Sequence, residues 1–172
     1  MKLRTCYLLL LLPLICASFA FDIAGQDKKT IVLVRHVEKD ASATADKNDP
    51  DLSAEGRERA QRLAKVVKKY KPHEIFSTDF KRTKMSVEPI AAKRNKQIQT
   101  YDSAKMADLV QKIMSSKTEH YLIVGHSNTI PALGNLIVKR EIFRPLLESE
   151  YSIVWVIRMR KGVMKNIEIF TY

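Results

Sequence analysis

Two continuous apolar runs, Thr30-Ile31-Val32-Leu33-Val34 and His120-Tyr121-Leu122-Ile123-Val124, are short and do not alternate. Strands of that kind are covered on both faces, the usual condition of a parallel sheet, so the rest of the chain must supply helices for both sides. The pattern between them does so. Ser53, followed by Glu55, predicts a helix start, and Ala60, Leu63, Ala64 and Val67 mark its buried face until Pro72 ends it. Glu74-Ile75-Phe76-Ser77 reads as a short strand. The following helix begins near Arg82 and Thr83, with Pro89 predicting a kink or break. A third strand over 97–101 precedes an amphipathic helix carrying Met106, Leu109, Val110, Ile113 and Met114. Asn128-Thr129 and Pro131 open a last helix running to about Lys139. The segments 151–159 and 163–170, joined around Lys161-Gly162, read as a closing hairpin. The expected class is α/β: a three-layer sandwich with a mostly parallel sheet, helices on both faces and a C-terminal edge hairpin.

Each long apolar run delivers a histidine to its C-terminal tip, in Val34-Arg35-His36-Val37-Glu38-Lys39 and Val124-Gly125-His126-Ser127-Asn128-Thr129. Ligands of open α/β sheets bind outside the carboxyl ends of the strands, so His36, His126 and Arg35 can converge on one small anion. Arg35 at the end of a buried strand calls for an anionic partner. Arg82 is expected beside a helix N-terminus, where anions are favoured. Ser127 and Asn128 either cap the next helix or turn their amides toward the anion. The polar stretch 40–51 reads as a loop over the site.

Together with Phe76-Ser77-Thr78-Asp79-Phe80-Lys81-Arg82-Thr83, these motifs resemble the histidine phosphatase superfamily, in its phosphoglycerate mutase-like branch, over roughly residues 30–172. The resemblance implies phosphoryl transfer through a phosphohistidine, with His36 as nucleophile and Arg35, Arg82 and His126 gripping the phosphoryl oxygens. It calls for no cofactor. A metal site would need three or four ligands at workable spacing, which His36-Val37-Glu38 alone does not supply. The proton donor is less evident, because Ser127 stands after His126 where some members carry Asp. Asp102 is the first candidate, ahead of Asp108 and Glu38, although Asp102 and Asp108 could simply cap the helix beginning near Ala104. With no large insertion between Arg82 and His126, a shallow, open pocket is expected.

Residues 1–20 read as a secretory signal peptide, with Lys2 and Arg4 before the apolar stretch 7–15 and Ser18-Phe19-Ala20 at the cleavage site. That stretch is short for a membrane span, although an uncleaved anchor is the competing reading. Residues 21–172 then form one domain, periplasmic or secreted. Both cysteines, Cys6 and Cys16, leave with the leader, which excludes cysteine nucleophiles, thiolate metal sites and disulfides from the mature chain. The formal charge of +11 becomes +9 once Lys2 and Arg4 are gone. A basic field favours phosphorylated substrates, but the scattered Lys and Arg carry no nucleic-acid motif. The expected function is an exported phosphatase acting on phosphomonoesters such as sugar phosphates, envelope glycolipids or phosphoproteins. Membrane contact is expected only through the leader, and the oligomeric state is open. The alternatives are a non-catalytic phosphate-binding module, or a phosphatase specific for envelope sugar phosphates or phosphohistidine.

Overall fold

The computed structural model describes residues 28–42 and 44–172, so the leader reading of residues 1–20 lies outside the described residues. Six strands form one sheet: β1 (Lys28–Arg35), β2 (Glu74–Ser77), β3 (Ile98–Thr100), β4 (His120–Gly125), β5 (Ile153–Arg160) and β6 (Val163–Thr171), in the order β3-β2-β4-β1-β5-β6. β3, β2, β4 and β1 run parallel, while β5 and β6 add an antiparallel hairpin, so the sheet is mixed. Lys161 and Gly162 turn that hairpin, both at positive φ (52° and 69°), as a tight two-residue connection requires.

Four helices cover the two faces: α1 (Ala54–Val67), α2 (Lys81–Arg94), α3 (Met106–Ser115) and α4 (Thr129–Val138). β1 divides its side chains between them. Val32 and Val34 pack with Leu63 and Val67 of α1 and with Val87 and Ile90 of α2. Ile31 and Leu33 pack with Leu109 and Ile113 of α3 and with Ile130 and Leu133 of α4. Continuous apolar composition in β1 and β4 is thus the direct result of cover on both sides.

Local chemistry sets the helix ends. Ser53 Oγ accepts from Gly56 N at 3.0 Å to start α1, and Asn95, at φ 49°, closes α2 with its N–H on the carbonyls of Ala91 and Ala92. Pro89 does not break α2, which is continuous from Lys81 to Arg94. Burial of Val87, Ile90 and Ala91 against the sheet on either side of Pro89 outweighs the single lost backbone bond.

Candidate active site

The parallel register of β1 and β4 pairs Arg35 with Gly125, and His36 N donates to Gly125 O at 2.9 Å. The residues that follow on each strand, His36 and His126, therefore emerge side by side with ring centroids 5.4 Å apart. Only glycine fits at 125. A Cβ there would stand 2.8 Å from Tyr101 Oη and 2.9 Å from Thr129 Oγ1. On the far side of β4, Ser77 pairs with Val124, so Thr78 follows β2 into the same corner.

His36 is held in one tautomer. Its Nδ1 lies 2.7 Å from Val37 O, and a carbonyl only accepts, so Nδ1 carries the proton and Nε2 keeps its lone pair. The side chain is 5% exposed. Burial lowers its pKa to about 3; the bond to Val37 opposes that, and His126, Arg35 and Arg82 add to it. His126 is likewise lowered to about 4, by burial first and then by Arg82 and Arg35. Both imidazoles are neutral near pH 7.

A buried hydroxyl ties the site together. Ser86 Oγ accepts from Val37 N at 3.0 Å and donates to Arg82 O at 2.6 Å, linking the residue that orients His36 to the first turn of α2. A second chain orients His126: its Nε2 is 3.0 Å from Thr78 Oγ1, which bonds Thr83 Oγ1 at 3.1 Å, which donates to Phe80 O at 2.8 Å. The edge-to-face ring of Phe80 backs His126 at 5.1 Å.

Arg35 is 3% exposed and Arg82 half-buried. Arg35 Nη1 donates to the carbonyls of Leu147 and Glu148 (2.7 and 3.2 Å), its Nη2 donates to Glu148 Oε2 at 2.8 Å, and its buried Nε has no partner among the described residues. Tyr151 stacks over that guanidinium at 4.1 Å and stands 6.1 Å from the His36 ring. Arg82 lies over Phe80 and 3.7 Å from Asp49 Oδ1, which also accepts from Lys81 N at the start of α2. Arg35 thus finds an anionic partner in Glu148, where the sequence suggests only a ligand.

The remaining expected residues are placed as follows. Ser127 is half-buried, and its carbonyl accepts from Leu146 N. Asn128 is exposed, and its side chain does not cap α4; the hydroxyl of Thr129 accepts from His126 N instead. Asp102 caps Ala104 N at 2.8 Å and lines a cavity of about 350 Å³ with Thr78, Asp79 and Phe80. Asp108 lines a separate neighbouring cavity with Lys105 and Lys112. Glu38 is bound to Arg59 at 2.6 Å.

Two neutral imidazoles between two arginines, at the carboxyl edge of a parallel sheet, define an α/β enzyme suited to a small tetrahedral oxyanion. Residues 31–105 match the family model described as histidine phosphatase superfamily (branch 1). No curated protein matches the sequence. Among solved structures, the protein histidine phosphatase SixA complexed with tungstate superposes with TM-score 0.67 at 14% identity, over 83% of this chain and 96% of that one. A putative phosphohistidine phosphatase SixA from Agrobacterium tumefaciens gives 0.65 at 19% identity, over 84% and 98%. A mycobacterial glucosyl-3-phosphoglycerate phosphatase gives 0.61 at 15% identity, over 84% and 98%. At these identities the structural likeness speaks for the fold. Residues 31–105 thus carry a similarity to the histidine phosphatase superfamily, and the chain shares the fold of these solved phosphatases.

Proposed function

We propose that this protein is a phosphatase that hydrolyses phosphomonoesters through a covalent phosphohistidine on His36. The observation that carries the reading is the Nδ1–Val37 O bond, which leaves a buried, neutral imidazole with its Nε2 lone pair free. Nε2 forms a bond to phosphorus as the ester P–O bond breaks, and the leaving oxygen takes the electron pair and a proton. Water then attacks phosphorus, the N–P bond returns its electrons to Nε2, and inorganic phosphate departs. Arg35 and Arg82 hold the non-bridging oxygens. An arriving dianion favours protonation of His126, whose ring then donates to it, and the amides of Ser127 and Asn128 at the start of α4 add dipoles of the right sign. Asp102, lining the cavity beside Thr78, supplies the leaving-group proton and takes it back from the attacking water in the second step.

The names of the structural neighbours support substrates ranging from phosphohistidine to a sugar-linked phosphate ester. The composition of residues 1–20 supports export, with residues 21–172 as the mature domain and with sugar phosphates, envelope glycolipids or phosphoproteins as accessible substrates. Turnover of p-nitrophenyl phosphate that is inhibited by vanadate and abolished in His36→Ala is the expected result. Full activity in His36→Ala would exclude this route, and N-terminal sequencing of the exported protein checks cleavage after Ala20.

A further inference from the structure

Both arginines of the site already hold a carboxylate, each from a different loop. Glu148, between α4 and β5, is on Arg35 at 2.8 Å, and Asp49, between β1 and α1, lies 3.7 Å from Arg82. A phosphoryl dianion and a carboxylate repel one another on a shared guanidinium, so Glu148 must swing aside when substrate arrives. With its side chain 82% exposed, that movement meets little packing. The backbone beneath stays fixed: the carbonyls of Leu147 and Glu148 hold Arg35 Nη1, and Leu146 N is bonded to Ser127 O at 2.8 Å. Glu150 braces the same strap, pairing with Arg144 at 2.7 and 2.8 Å and accepting from Leu147 N at 2.7 Å. The displaced carboxylate therefore remains tethered at the mouth. Asp102 lines the cavity next to Thr78 together with Asp79, which Lys84 pairs. Glu148 thus sets a carboxylate beside whatever is attached to the phosphate, in a chain of formal charge +11.

We infer that Glu148 is a specificity-determining residue that disfavours a second negative charge near the phosphate, and that the substrate class is phosphate joined to a neutral or cationic leaving group such as an amino alcohol. This rests on the phosphatase reading above. Two small phosphates of similar size and opposite tail charge test it, O-phosphoethanolamine and phosphoglycolate, each as a competitor of p-nitrophenyl phosphate hydrolysis. In the parent enzyme the inhibition constant of phosphoglycolate is expected to exceed that of phosphoethanolamine. The ratio of the two should fall about fivefold in Glu148→Gln, the size of one charge–charge contact at an exposed site. Comparing ratios cancels any general change in phosphate affinity, and Glu148→Ala repeats the comparison without an amide in the carboxylate's place. A ratio unchanged in both variants, or a parent that binds phosphoglycolate more tightly, overturns the inference while leaving the phosphatase reading intact. A parent that turns over no phosphate ester overturns both.

Discussion

Burial of a neutral His36 makes the stability of the fold depend on pH in a definite direction. In the unfolded chain this side chain titrates near its ordinary value of 6.5, whereas in the folded protein it does so at about 3. Between those values the unfolded state binds the extra proton, so stability is present above pH 6.5 and lost as pH falls toward 3. From pH 7 to pH 5 this one group removes about 2 kcal/mol, at a limiting slope of about 1.4 kcal/mol per pH unit. His126 acts in the same direction over this range, so the parent profile alone does not isolate the effect. Urea denaturation of the parent and of His36→Gln at pH 7, 6 and 5 isolates it. The variant is expected to lose about 2 kcal/mol less over that range. Parallel stability profiles would refute the reasoning and place a protonated or solvated imidazole at position 36.

Ser86→Ala leaves the buried Val37 N–H without its acceptor, and should cost about 1–3 kcal/mol in chemical denaturation and lower kcat about tenfold, because His36 is oriented through Val37. Gly56→Ala reverses the usual helix preference: in an open helix the change stabilises by about 1 kcal/mol. Here the new Cβ would stand 2.1 Å from Glu38 O, so a loss of about 1–3 kcal/mol and a lower Tm are expected. Asp102→Asn should reduce kcat on alkyl phosphates about a hundredfold and on p-nitrophenyl phosphate far less, since nitrophenolate leaves without a proton. Equal losses on both substrates would remove Asp102 from the donor role.

The layers of the fold follow from composition because β1 and β4 are too apolar to be exposed on either face, and the convergence of His36 and His126 then follows from their parallel register. Pro89 does not break α2, because tertiary burial on either side of it outweighs one missing backbone bond. The contacts that finish the site have no local signature. Ser86 reaches Val37 across 49 positions and Glu148 reaches Arg35 across 113. Glu148 sits in a stretch without helical or strand periodicity, Tyr151 reads as the first residue of the closing hairpin although β5 starts at Ile153, and Ser86 and Thr78 read as ordinary polar residues until the backbone brings them to the histidines. Asp102 shows the opposite difficulty: the same carboxylate caps Ala104 and lines the cavity, so pattern alone does not separate the two roles.

The central claim is a covalent bond between His36 Nε2 and phosphorus. The direct test is to mix enzyme with p-nitrophenyl phosphate, quench in base within one turnover and locate the phosphoryl group by peptide mass spectrometry and phosphorus NMR. An acid-labile adduct on the peptide carrying His36, absent from His36→Ala, is the predicted result. Turnover with no adduct at His36 under trapping conditions, or an adduct on another residue, would contradict it.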